Sequence, residues 1–401
     1  MRVLALTTSF PRAADDFAGR FVHDLHAGLT DLGHDVTTVC PATEGAPERE
    51  ETEAGEVLRV AYASPGDMDL FYGDGLEANW RRVRRPLAKL RAFRIAARDA
   101  LRRRMPDAHL VVPHWLWPCA RPATEAARGS GVPVVGVGHG GDLHVLGRRF
   151  IGPWFARGLR GRLRGALVTT RAGAQIVRRR LGVDRVRVVP MGVDPARFRT
   201  PQARLEGLPD SYLLGVGRLL PIKGFDVLLE AGRRAGIPVV LAGEGPEESR
   251  LRAHEGDGRA VMVGRLGPDA VAAAMQHALA VVVPSLVVGS GRTEGFPVVA
   301  VEALVAGAPV IASRTGGMGD LLPDEMLVAP DDVEALTRAI LAAEERCRNG
   351  EAFTPPVKLP LTRVETAGAL VSLLDDGDGD GREASFPGDG TVLADPHGER
   401  G

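Results

Sequence analysis

Short apolar, β-branched runs recur along the chain, and stretches of helical spacing lie between them. VLAL at 3–6, DVTTVC at 35–40, HLVVP at 109–113, VPVVGVG at 132–138, ALVTT at 166–170 and RVRVVP at 185–190 form a first series. The helical stretch from Phe21 to Leu32, closed by Gly33, is typical of what separates them. Strands covered on both faces read as continuous apolar runs, because neither face meets water. Alternating strands and helices pack as a mostly parallel sheet under helices. The series then restarts with a strand from Tyr212 to Val216 and a helix from Asp226 to Arg234. PVVLAG (238–243), AVMVG (260–264), LAVVVP (279–284) and APVIAS (308–313) follow as further strands. The fold class is therefore α/β, with two Rossmann-like units in series, and 401 residues is two to three times a ~150-residue domain. The reading gives a first domain over 1–193, a Pro-, Arg- and Gly-rich linker without periodicity over 194–210 and a second domain over 211–347. A C-terminal helix over 361–374 is expected to pack back on the first domain.

Residues 375–401 hold 8 acids and 7 glycines in 27 positions and cannot bury enough apolar surface to fold alone, so disorder is expected there. A calcium loop starting at Asp376 fails at its twelfth position, which is Pro387 and not Glu. No apolar run reaches the ~18 residues of a membrane span, and MRVLALTTSFPR lacks a cleavage site and reads as a first strand. Cys40, Cys119 and Cys347 are too scattered for a disulfide framework or a zinc site, which fits a reducing cytoplasm. A net charge of −1 argues against nucleic acid as a partner. Only Lys89, Lys223 and Lys358 are lysines among 50 basic residues, so a lysine in a motif stands out.

Two segments carry chemistry. In GVGRLLPIKGFDVLLEAG (215–232) a strand ends at glycines, and a turn then presents Arg218 and Lys223. Glycines let main chain approach a ligand, and two cations at the carboxyl end of a parallel strand suit a diphosphate. In TEGFPVVAVEALVAGAPVIAS (293–313) an apolar helix begins near Pro297 and ends at Gly307. Glu294 and Glu302 are eight residues apart, about 12 Å along a helix and within roughly 80° of one face. Two carboxylates so spaced can grip two hydroxyl-bearing parts of one extended ligand, while the helix N-terminus between them offers N–H groups to a phosphate. Glu302 sits among VVAV and ALVA, where a carboxylate needs a partner.

Together these segments resemble the C-terminal domain of the retaining nucleotide-sugar glycosyltransferases of family 4, which have the GT-B fold of two Rossmann-like domains facing each other across a cleft. The family's Glu-x7-Glu pair is matched by Glu294 and Glu302, and its cationic turn by Gly217, Arg218, Lys223 and Gly224. AGEGPE (242–247), with Gly245, VVPMGVDPARF (188–198) and PVIASRTGG (309–317) are further family-like elements. The resemblance implies that Arg218 and Lys223 neutralise the diphosphate of a nucleoside-diphosphate-sugar donor. Glu302 would hold the ribose hydroxyls and Glu294 the sugar hydroxyls. The backbone of Gly295, Phe296 and Pro297 would lie against sugar and phosphates. It implies no metal and no other cofactor, because the leaving group's charge is met by fixed protein groups.

The acceptor side would come from the N-terminal half. VGVGHGGDLH (135–144) resembles the family's His-Gly loop, in which His139 would contact the donor sugar and Asp142 would orient it or the acceptor. His139, Asp142 and His144 lack a fourth ligand for a metal. SFPRAADDFAGRFV (9–22) resembles the family's first loop, whose glycine pair is reduced here to Gly19. Residues 81–104 hold 11 basic residues and one acid, and 147–183 hold ten arginines and no acid, interleaved with Phe150, Trp154 and Phe155. Such a surface suits an anionic membrane or a lipid-linked acceptor, with a solvated Arg-rich face as the alternative. The expected activity is hexosyl transfer with retention to a lipid-linked or small-molecule acceptor, in polysaccharide, glycolipid or metabolite synthesis. The expected place is the cytoplasm, peripheral to the inner face of the plasma membrane. A nucleotide-sugar epimerase on the same fold and a non-catalytic nucleotide-binding protein are the alternatives; a dehydrogenase is disfavoured because TTSFPRAADD after the first strand lacks G-x-G-x-x-G.

Overall fold

The computed structural model describes residues 1–13, 16–73, 75–254, 260–289, 293–351, 353 and 362–375. The tail from 376, the calcium-loop positions and Lys358 lie outside the described residues. The first lobe holds strands β1 (Arg2–Leu6), β2 (Asp35–Pro41), β3 (Arg49–Thr52), β4 (Gly55–Val60), β5 (Leu110–Pro113), β6 (Val135–Gly138), β7 (Gly165–Val168) and β8 (Val186–Val188). Their order is β3-β4-β2-β1-β5, continued by β6-β7-β8. The two parts meet through parallel bridges at Val111–Val134 and His114–Val137. The second lobe holds β9 (Leu213–Val216), β10 (Val239–Ala242), β11 (Ala260–Gly264), β12 (Ala280–Val283), β13 (Val310–Ser313) and β14 (Leu327–Val328), in the order β11-β10-β9-β12-β13-β14. All its pairings are parallel.

In both sheets the strand order reverses beside the first strand, between β1 and β5 and between β9 and β12. Crossover helices leave opposite faces at such a point, and a crevice opens at the carboxyl ends of the strands. The functional segments follow these strands. Gly217 and Arg218 come after β9, the Glu294 loop comes after β12, and His114 and His139 come after β5 and β6. The central strands are apolar and closed to solvent: β5, β6, β7, β10, β12 and β13 are buried throughout.

Three elements depart from the sequence reading. The hairpin β3–β4 was not anticipated, because REET is a polar edge strand without an apolar run. The linker 194–210 opens with a short helix, Pro195–Arg199, whose start is capped by the Asp194 carboxylate accepting from the Ala196 amide. The helix expected to begin near Pro297 starts one residue later, at Val298, with Pro297 at its N-cap position.

The helix Arg363–Val371 lies against the helix Arg20–Asp31 of the first lobe. A Cβ on Gly28 would fall 2.3 Å from the Arg363 carbonyl oxygen, so only glycine permits this approach. Thr362 and Glu365 form a capping box at the helix start. The Thr366 hydroxyl accepts from the Gly192 amide at 3.0 Å and donates to the Pro190 carbonyl at 3.1 Å. The Arg363 guanidinium meets Asp31 at 2.8 Å. Leu370 is fully buried in a cluster with Leu25, Leu29, Val189 and Met191. Leu370→Ala is therefore predicted to cost about 2–4 kcal/mol in urea unfolding; a loss under about 1 kcal/mol means that this helix is not part of the first lobe's core.

Candidate active site

Two glycine turns form one wall. Gly217 follows β9 with φ 147°, and Gly243 follows β10 with φ 149°, values that favour glycine. A Cβ on Gly243 would lie 1.9 Å from the Gly217 carbonyl oxygen, and one on Gly245 would lie 2.5 Å from that of Leu219. The Leu219 amide donates to the Glu244 carbonyl at 2.9 Å. The turns thus stack main chain on main chain, and Arg218 projects from this stack into the cleft wall. Gly243 was missed, although AGEGPE contains it; its role appears only when the neighbouring turn is in place.

The Glu294 loop forms the next part. The Lys223 ammonium lies over Gly217, with Nζ 3.2 Å from where a Cβ would stand, and bonds Glu294 Oε1 at 2.6 Å. The Ser285 hydroxyl donates to the other oxygen of Glu294 at 2.5 Å. Lys223, assigned to the diphosphate from sequence, therefore bridges toward Glu294. The helical spacing of the glutamate pair needs correction: the helix starts at Val298, so Glu294 stands on a loop outside it and Glu302 alone is helical. Gly316 and Gly317 cradle the loop. A Cβ on Gly316 would meet the Glu294 carbonyl at 2.1 Å, the Gly317 amide donates to the Gly295 carbonyl at 2.9 Å, and the Phe296 ring covers Gly317.

Between the lobes lies a cavity of about 500 Å³. Gly217, Arg218, Gly245 and Glu302 line it from the second lobe, with Arg265 and Leu266 after β11. Arg20, Phe21 and Asp24 line it from the first, and Arg197 and Phe198 from the connection. Gly19 (φ 72°) begins the helix that carries Arg20 and Asp24, and packs so closely on the Ser9 carbonyl that a Cβ would come within 2.3 Å of its oxygen. Burial in the cleft pushes the Glu302 carboxyl up to about 7; Asp24 from the other lobe adds repulsion, and Arg197 and Lys223 pull it back. Asp24 and Arg197 carried no sequence signal, since an Arg20–Asp24 spacing of four reads as an ordinary helix-surface pair.

His139 and Gly140 touch this assembly through backbone. A Cβ on Gly295 would fall 2.6 Å from the His139 carbonyl oxygen, and one on Gly140 2.6 Å from the Gly295 Cα. The His139 ring is buried between Phe21 and Trp115, with centroids 4.9 and 4.7 Å away. Asp142 turns inward. Its carboxylate accepts from the amides of Leu116 at 2.7 Å, His139 at 3.0 Å and Gly140 at 3.1 Å, and burial pushes it up to about 6 against their pull. It shapes the His139 turn and does not line the cavity. Among the described residues no three His, Cys, Asp or Glu side chains are grouped to hold a metal ion.

Residues 18–197 match the model of the Glycosyltransferase Family 4 domain, and 210–345 that of Glycosyl transferases group 1. The D-inositol 3-phosphate glycosyltransferase of Acidothermus cellulolyticus is 30% identical over 343 residues, 76% of this chain and 72% of that protein. The glycogen synthase of Mycobacterium tuberculosis is 28% identical over 384 residues, 87% of this chain and 89% of that protein. Among solved structures, sucrose-phosphate synthase from Thermosynechococcus elongatus superposes with a TM-score of 0.67 at 20% identity, covering 93% of this chain and 95% of that one. Anabaena Alr3699/HepE in complex with UDP-glucose superposes at 0.61 and 15% identity, covering 93% and 97%. Both lobes, their order and the cleft between them agree with these likenesses: the chain belongs to the family 4 glycosyltransferases and has the GT-B fold.

Proposed function

We propose that this glycosyltransferase moves a hexose from a nucleoside-diphosphate sugar to an acceptor hydroxyl with retention of anomeric configuration. The observation that carries the reading is the placement of Arg218 and Glu302 on one wall of the inter-lobe cavity, beside the Lys223–Glu294 ion pair. A diphosphate at the end of β9 meets the Arg218 guanidinium and the start of the helix Val298–Val305, which no side chain caps. Glu302, one to two turns along that helix, accepts hydrogen bonds from the ribose hydroxyls. Glu294 offers its oxygens to the sugar, and a bound phosphate competes with it for Lys223. Charge building on the leaving phosphate is what these groups stabilise. The Asp142 carboxylate is already bonded to three backbone amides, which disfavours it as a nucleophile and favours front-face attack with the departing phosphate taking the acceptor's proton. The reading calls on no metal or other cofactor. A UDP-glucose complex of a GT-B neighbour supports the donor class.

For the acceptor, the reading favours a lipid-linked molecule at the inner face of the plasma membrane. Several cations of the helix Pro86–Arg104 are drawn into ion pairs, Lys89 with Asp69, Arg98 with Asp99 and Arg104 with Glu56. The tip at 147–162 differs: Phe150 is 86% exposed and Trp154 67%, among exposed Arg148, Arg149, Arg157, Arg160 and Arg162. Exposed aromatics ringed by arginines suit an anionic lipid surface. Among the described residues no helix is long and apolar enough to cross a membrane.

Lys223→Ala and Glu294→Gln are each predicted to reduce turnover at least ~tenfold with the melting temperature nearly kept; near-wild-type rates in both variants mean that the site is misassigned. Glu302 supplies a pH test. Its folded value, about 7, lies above the ~4.3 of an unfolded glutamate, so the fold loses stability as pH rises from about 4 to 7. Glu302→Gln is predicted to exceed wild type by about 1–3 kcal/mol at pH 8 and to match it near pH 4, by urea titration; an offset independent of pH contradicts the raised value. With phosphatidylglycerol vesicles at low salt, the wild-type chain is predicted to co-sediment and the double variant Phe150→Ser, Trp154→Ser to remain in solution. Equal partitioning of the two rules out this tip as the docking element.

A further inference from the structure

A chain of three buried histidines runs from the core of the first lobe to the His139 turn, which meets the Gly295 loop of the second lobe. His26 lies on the helix Arg20–Asp31, His114 directly follows β5 and His139 directly follows β6. His26 and His114 are fully buried, and His139 is 9% exposed. Thr38 Oγ1 lies 2.8 Å from His26 Nδ1. His26 Nε2 lies 2.9 Å from His114 Nε2, and His114 Nδ1 lies 3.0 Å from His139 Nε2. The remaining nitrogen, His139 Nδ1, has no hydrogen-bond partner among the described residues.

Burial holds all three rings well below the ordinary histidine range, His139 at about 3, so each is neutral near pH 7. A neutral imidazole has one N–H donor and one bare acceptor nitrogen. Each ring-to-ring contact consumes one of each, so the three tautomers are locked together and only two arrangements exist. In the first, the Thr38 hydroxyl donates to His26 Nδ1, His26 Nε2–H donates to His114 Nε2, and His114 Nδ1–H donates to His139 Nε2. His139 then carries its proton on Nδ1. In the second, every bond is reversed: His139 Nδ1 is bare, and the Thr38 hydroxyl proton needs another acceptor. Thr38 has no such second partner among the described residues. A buried donor without an acceptor costs roughly 1–3 kcal/mol. The first arrangement leaves a single unmet group, the buried Nδ1–H of His139, on the turn whose backbone meets Gly295 of the other lobe.

We propose that His26 and His114 are positioning residues that hold His139 as the Nδ1–H tautomer, so that it presents one fixed N–H donor to an oxygen of the bound sugar. This rests on the transferase reading for the identity of the ligand, but the tautomer itself does not. The aromatic walls of Phe21 and Trp115 keep the ring in place, while the histidine chain decides which nitrogen carries the proton. A donor fixed in this way selects sugars with an acceptor oxygen at that point and disfavours those that place a C–H there.

The test is nitrogen-15 NMR of the full chain labelled at histidine, with assignments from single His variants, alongside donor turnover. The expected wild-type spectrum has three neutral rings, protonated at His26 Nε2, His114 Nδ1 and His139 Nδ1. His114→Leu should lose the single His139 tautomer and at least ~tenfold in kcat. His114→Asn, whose amide N–H can replace Nδ1–H, should restore the tautomer and most of the rate. A wild-type His139 protonated on Nε2, or on both nitrogens, overturns the proposal whatever the activity; so does a His114→Leu variant that keeps the Nδ1–H tautomer. An Nδ1–H His139 in a chain that transfers no sugar sustains the tautomer lock and overturns the transferase reading on which the ligand rests. Should His114→Leu fail to fold, the wild-type spectrum still decides the tautomer.

Discussion

The two lobes touch main chain to main chain where Gly295 meets His139 and Gly140, and the site depends on that contact. A side chain at Gly295 or Gly140 would hold the lobes apart by the width of its Cβ. With glycine at both positions, a loop from the carboxyl edge of one sheet rests on a loop from the carboxyl edge of the other. The Glu294 loop is pressed from its other side by Gly316 and Gly317, so it is held between that glycine pair and the His139–Gly140 backbone. Packing of this kind locates a carboxylate through backbone position, before any charge interaction acts on it.

Charge then refines what the backbone sets. Glu294 is satisfied by an ammonium and a hydroxyl, whereas Glu302 faces Asp24 across the cavity with Arg197 as its near counter-charge. The same residue type in the same motif thus has two environments, one compensated and one under strain from burial and a like charge. Hydroxyl hydrogens donated to Glu302 would supply the partner that its burial withholds. The first lobe adds a third device, in which neutral imidazoles buried in series govern the direction of a hydrogen bond and carry no charge.

Much of the architecture is readable from residue order. β10, β12 and β13 announce themselves as VVLA, AVVV and VIAS, because strands covered on both faces have no polar positions to interrupt the run. The hairpin β3–β4 is silent, because its outer strand REET lies at a sheet edge where polar side chains meet water. The glutamate pair is visible as a spacing, but spacing alone suggests one helical face, and Pro297 breaks that inference by starting the helix after Glu294. His26, His114 and Thr38 give no local signal at all, since they come from a helix, the end of one strand and the middle of another.

Residue order by itself determined the two parallel sheets, the glycine turns at their strand ends and the stock of charged groups in the motifs, because apolar runs, glycines and spacing act through neighbours along the chain. Only the tertiary structure decided that Lys223 reaches Glu294, that Asp24 and Arg197 bear on Glu302, that Asp142 serves the backbone and that three histidines join end to end. Those outcomes depend on which crossover brings which strand end to the cleft, and on how deeply each polar group is withdrawn from water. Neither quantity is encoded in any short stretch of sequence.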